Sequence, residues 1–133
     1  MDTDLEIRLR IDLWDEQPTS EFPDGTKLSR ADVRLSSDAE VLAAQSQSLL
    51  FYAADGTSTF VAMMRVEANL AGRSGAFVLY GTGDYDGTAA RQHLQILEGS
   101  GSDGLEGIRG AATSASTHQD YPFMPIHINY SFH

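Results

Sequence analysis

Two carboxylates, Asp15 and Glu16, follow directly on the chain's single tryptophan, Trp14, where the first alternating apolar run gives out. A carboxyl group partly withdrawn from water beside an indole has its pKa raised, and so becomes usable as a general acid or base. The plainer reading is a solvated charge at a strand end. Tyr52 and Tyr130 carry phenols that could donate to a ligand carbonyl, or could pack with body inward and hydroxyl outward. Most other carboxylates, Asp12, Asp32 and Glu67 among them, fall on the polar face of an alternating strand, where they serve solubility.

The remaining chemical motifs carry less. His93, His118, His127 and His133 could in principle gather around a metal, but only His127 and His133 share a strand face. Six residues of extended strand separate them by about 20 Å, too far for one ion, which leaves solvated histidines. The run from Gly99 through Gly101 to Gly104 matches G-x-G-x-x-G, yet the segment after it is too rich in glycine to be the helix a dinucleotide site requires. It reads as a turn. Ser74, between Arg73 and Gly75, lacks the downstream glycine and helix of a nucleophile elbow. With no cysteine there is no disulfide, thiolate nucleophile or thiolate metal site, so neither metal nor other cofactor is expected.

The elements that would position these groups are strands. Leu5, Ile7, Leu9, Ile11 and Leu13 alternate with polar residues, a period of two that a helix cannot place on one face. The strand ends at residues 14–18, and Pro18, Pro23 and Asp24-Gly25 mark a loop up to Lys27. Ala31, Val33 and Leu35 open a second strand. Residues 37–48 combine good helix formers with strand neighbours, and both readings stand there, the strand preferred. Residues 49–53 form a firmer strand, and Asp55-Gly56 signals a two-residue hairpin with positive φ at both centres. Residues 59–70 put Phe60, Ala62, Met64 and Val66 on one face, with Val61, Met63, Arg65 and Glu67 on the other. After a turn at residues 72–75, Phe77, Leu79 and Gly81 share a face. Asp86-Gly87 repeats the hairpin signal before Leu94 and Ile96. A Gly/Ser loop at residues 98–110 and a small-residue strand at 111–117 follow, and Ile126, Ile128, Tyr130 and Phe132 close the chain.

About eight strands, evenly spaced and without a convincing helix, predict one all-β domain over residues 1–133. The expected form is an eight-stranded antiparallel up-and-down barrel, whose closure removes exposed edges; a two-sheet sandwich is the alternative. At 133 residues the chain can bury about two-thirds of its unfolded surface in one core. With 9 Lys and Arg against 19 Asp and Glu, the net charge of −10 repels phosphate backbones and anionic lipids, so neither nucleic acid nor membrane is an expected partner. The acidic start shows no signal-peptide pattern and no stretch approaches the roughly 20 apolar residues of a bilayer span, so the cytoplasm is the expected location.

Four motifs, taken in order, resemble a domain-of-unknown-function family of small bacterial proteins. They are Trp14-Asp15-Glu16, the run from Tyr52 through Asp55-Gly56-Thr57 to Phe60, Gly72-Arg73-Ser74-Gly75 with Phe77-Val78-Leu79, and Gly99-Ser100-Gly101 with Leu105, Gly107 and Gly110. The resemblance spans nearly the whole chain. It implies a barrel similar to allene oxide cyclase, commonly self-associating, with an internal pocket and no established activity. Two departures stand out: the family usually has Glu where Met64 stands and His where Gly81 stands. Both replacements would make the interior more apolar, and roomier near Gly81. A changed ligand and drift in a structural polar pair are both consistent with them.

On this reading the barrel encloses a hydrophobic small molecule. Phe60, Met64, Val66, Phe77 and Leu79 form an apolar wall, with Trp14, Gly81 and Tyr130 also against the ligand, and Glu16 and Tyr52 polarise it or move a proton. The expected activity is that of a cofactor-free cyclase or isomerase, as in relatives with that barrel; the alternative is a binding barrel that stores or carries a lipophile. Val61 and Met63, facing outward on a central strand, suggest a homodimer contact.

Overall fold

A computed structural model describes residues 2–133. In chain order its strands are β1 (Thr3–Glu21), β2 (Lys27–Ser36), β3 (Val41–Tyr52), β4 (Ser58–Leu70), β5 (Arg73–Tyr85), β6 (Ala89–Ile96), β7 (Ser102–Asp103), β8 (Ile108–Thr117) and β9 (Phe123–Phe132). Hydrogen bonds run from β1 through β2, β3, β4, β5, β6, β8 and β9 and back to β1, every neighbour antiparallel. Eight strands thus form one closed ring rather than two separate sheets. The two-residue β7 adds to β5 at Gly75 and Ala76. Among the described residues no helix is long and apolar enough to cross a membrane.

Alternation places the core. Ser29, Ala31, Val33 and Leu35 of β2 are buried, as are Ala62, Met64, Val66, Ala68 and Leu70 of β4 and Phe77 and Leu79 of β5. Residues 37–48 take the strand form from Val41 onward and run without a break into residues 49–52, because both edges of β3 pair along its length. Residues 98–107 form the expected loop, broken only by β7, and fold over one end of the ring, while residues 108–110 already belong to β8. Leu105 there has no exposed surface, and it belongs to the same cluster as Leu70, Phe77 and Ile108. That end is plugged.

The other end carries three turns with one sequence, Asp24-Gly25-Thr26, Asp55-Gly56-Thr57 and Asp86-Gly87-Thr88, each 31 residues after the last. In each, an Asp Oδ1 accepts the backbone N–H two residues on, at 3.0, 3.0 and 2.8 Å. The middle turn is not the expected two-residue form. Ala53 and Thr57 bracket a three-residue loop in which Gly56 alone has positive φ, the arrangement of a type I turn followed by a left-handed glycine. The turn with positive φ at both centres is Ala71-Gly72, at the plugged end, so β5 already begins at Arg73.

β1 departs furthest from expectation. It does not end over residues 14–18 but continues to Glu21, with register shifts between Ile11 and Leu13 and between Pro18 and Ser20. Asp12 is the extra residue of the first bulge. Before it, the odd residues Ile7 and Leu9 point inward; after it, Trp14 stands opposite buried Val33 and Glu16 opposite buried Ala31. The bulge changes which parity faces the core. Leu13, expected with Ile11, therefore stands opposite Arg34 on the outer face, while Trp14, at the open end of the ring, is 51% exposed although it faces inward. β9 pairs with β1 only as far as Arg10, so Pro18 lies on a strand with β2 as its sole partner and at a bulge, where a residue without an N–H is tolerated.

Candidate functional site

Because β1 outruns β9, the ring parts at the end bearing the Asp-Gly-Thr turns, and a cavity of about 420 Å³ enters there. Its apolar lining includes Ile11, Val33, Leu35, Leu50, Phe60 and Met124; Ser46, Ser48, Ser58, Gln92 and Ser116 supply polar groups. Trp14 and Tyr52 stand at its mouth on one side and Tyr85 and His118 on another.

Glu16 is the centre of a hydrogen-bonded group at this mouth. Tyr52 Oη donates to Glu16 Oε2 at 2.6 Å and Ser29 Oγ to the same oxygen at 2.9 Å, while Trp14 Nε1 donates to Oε1 at 3.1 Å. Ser29 is almost fully buried, so the carboxylate gives its hydroxyl an internal partner. The sequence led to a raised pKa for Glu16. Partial burial alone pushes that way, but the bonds from Tyr52, Ser29 and Trp14, with nearby Lys27, outweigh it and hold the carboxyl below its ordinary value. Burial, and then the bond to Glu16, raise the Tyr52 phenol. The pair is therefore a carboxylate beside a retained phenol proton. Lys27 Nζ lies 4.8 Å from the centroid of the Tyr52 ring.

Across the mouth, His118 Nε2 lies 2.7 Å from Tyr85 Oη, and the two rings meet edge to face at 5.8 Å. Tyr85 Oη also donates to the Gly87 carbonyl at 3.0 Å. A phenol has one proton, so with that proton on the carbonyl Nε2 is the donor and Nδ1 is the free atom of His118.

The expected ligand residues divide. Trp14, Tyr52 and Phe60 line the cavity and Glu16 bonds to two of them. Met64, Val66, Phe77 and Leu79 lie further along β4 and β5, packed in the core and without a face on the cavity. Tyr130 is buried against Phe132 toward the plugged end. Gly81 makes no extra room: a Cβ there would collide with the His93 carbonyl of β6, and the residue borders an outer groove with Met63. At Gly83 an added Cβ would strike the Phe60 ring, so that glycine is what lets Phe60 lie across the strand.

Ser29 and Tyr85 carried no signal of their own in the sequence, and His118, expected to be solvated, pairs with Tyr85. The recurring Asp-Gly-Thr turn was the available signal, since three equal hairpins put their turns, and Tyr52 and Tyr85 just before two of them, at one end. Among the described residues no three His, Cys, Asp or Glu side chains gather as a metal site would require.

A closed all-β ring, plugged at one end and open to a cavity at the other, defines a small cavity-bearing protein. The chain belongs to the DUF3224 family of proteins of unknown function, whose model matches residues 8–130. It is similar in structure to a protein of unknown function from that family in Shewanella oneidensis MR-1, with 23% identity over 98% of this chain and 99% of the other and a TM-score of 0.75. No curated protein matches.

Proposed function

We propose that the ring is an up-and-down barrel similar to that of allene oxide cyclase, and that it encloses a hydrophobic small molecule in the cytoplasm. The observation that carries this reading is the cavity of about 420 Å³, mostly apolar inside and polar at its mouth. Its size falls within the roughly 300–1,000 Å³ of small-molecule sites. The absence of cysteine suits a reducing compartment.

Binding and carriage are the use that the protonation states support best. Glu16 is held ionised by three donors and Tyr52 is held protonated, so neither group is poised near neutral pH to exchange a proton. Cofactor-free cyclisation or isomerisation is the second reading, favoured by the enclosure itself: holding a flexible lipophile in one reactive conformer lowers a barrier without acid–base chemistry. Incubation with a lipid extract followed by native mass spectrometry separates the two. Ligand recovered chemically unchanged supports the carrier. Ligand recovered chemically altered supports the enzyme. An interior that takes up nothing removes both.

The outer face adds a partner. Leu28, Leu49, Phe51, Val61, Met63 and Tyr80 are exposed on neighbouring strands β2 to β5, and we read this face as a homodimer contact.

A further inference from the structure

We propose that the cavity selects lipophiles bearing a protonated amine, with the ammonium group held between the Glu16 carboxylate and the aromatic rings of the mouth. This rests on the reading of the cavity as a small-molecule site and adds the chemistry of the head group.

Glu16 lies outside the cavity's lining but hydrogen-bonds Trp14 and Tyr52 within it, so the mouth offers a ligand acceptor capacity and ring faces. Glu16 Oε2 already takes two hydrogen bonds, but Oε1 takes only that of Trp14, which leaves it able to accept another. The Tyr52 proton is committed to Glu16, so toward a ligand the phenol oxygen is an acceptor too. Trp14, Tyr52, Phe60 and Tyr85 line the same space, and aromatic faces attract cations. Lys27 shows that the attraction operates here, with its ammonium nitrogen 4.8 Å from the Tyr52 ring centroid.

The opposite head group has less to pair with. No Lys or Arg lines the cavity; Lys27, at the Tyr52 ring beside Glu16, is the nearby cation, and His118, the one basic side chain in the lining, has its Nε2 taken by Tyr85. A carboxylate or phosphate entering past Glu16 would meet a like charge. The chain's net charge of −10 acts in the same sense at longer range, drawing cations and repelling anions.

Trp14, the only tryptophan, stands at the mouth and serves as a built-in fluorescence reporter. Decylammonium, decanol and decanoate, each titrated at monomeric concentration near neutral pH and low salt, share a chain and differ in the head. Decylammonium should bind about tenfold or more tighter than decanol, and decanoate weakest, with the amine's advantage shrinking as salt is raised. Glu16→Gln should bring amine and alcohol to within about twofold of each other, and Lys27→Gln, which removes a competing cation, should strengthen amine binding. The salt series uses the unaltered protein and so holds even where a variant fails to fold. Equal binding of all three heads, or preference for decanoate, overturns the ammonium proposal and leaves the cavity reading standing. Binding of none overturns both.

Discussion

At Glu16, three donors and partial burial compete for one proton, and the donors win. The carboxylate in turn satisfies a buried serine and a half-buried phenol, so the group is structural before it is anything else. Glu16→Ala removes the Tyr52 hydroxyl's partner and leaves Ser29 only the Gln17 carbonyl at 3.2 Å, and should cost about 1 kcal/mol in denaturant unfolding. The pH dependence follows from the direction of the shifts. Glu16, Asp4, Asp24, Asp55 and Asp86 all have folded-state pKa values below their ordinary ones, Asp86 at about 2. Between the folded and unfolded values the unfolded chain binds more protons, so stability rises with pH there. The contribution is complete above about pH 5 and drains away as pH falls toward about 2. Asp86 draws its shift mainly from the backbone N–H groups of Ala89 and Thr88, with Arg91 adding to it. Asp86→Asn should therefore flatten the lower part of a plot of unfolding midpoint against pH, and an unchanged slope would remove that assignment.

Among the elements, β1 decides what the site contains. Its bulge at Asp12 exchanges inward for outward residues, and so delivers Trp14 and Glu16 to the mouth. Deleting Asp12 removes only the extra residue and leaves Leu13 opposite Arg34 and Trp14 opposite Val33, so Trp14 emission and its ligand response should both be kept, along with the strand signature in far-ultraviolet circular dichroism. A Trp14 emission moved to longer wavelength in that deletion, with the strand signature kept, would sink the parity argument. The same element marks how far the sequence could be read. Alternation in β2, β4 and β5 was plain because each buries one face along its whole length, and the inward set there follows directly. At β1 the period breaks, since a bulge has no residue signature of its own, and Pro18 looked like an end although the strand merely lost one neighbour. Glu16 and Tyr52 were legible as polar residues flanking apolar runs. Their mutual bond was not, because it joins residues 36 apart whose meeting depends on ring closure. Nor was the packed state of Met64 and Leu79, which face inward as expected but lie on the filled part of the interior rather than the hollow part.

For the molecule as a whole, closure confines open sheet edge to one end, where β1 runs beyond β9 and β8 and β9 part after Thr113, so association is expected to use faces. Val61 and Met63 stand outward at the centre of the exposed apolar face, with Leu49 opposite Val61 and Tyr80 opposite Met63. Sedimentation at tens of micromolar should find a dimer, and the paired change Val61→Glu and Met63→Glu should yield a monomer that still takes up ligand. A wild-type chain that stays monomeric across that range ends the dimer reading. One further consequence comes from the three Asp-Gly-Thr turns. Each Asp carboxylate bonds within its own turn, so each hairpin carries its own closure and depends little on the next. The far end has no such freedom, because Leu105 and its neighbours interlock there. The protein is thus a cup with an interlocked base and a rim of separable turns, each of which can change without disturbing the others.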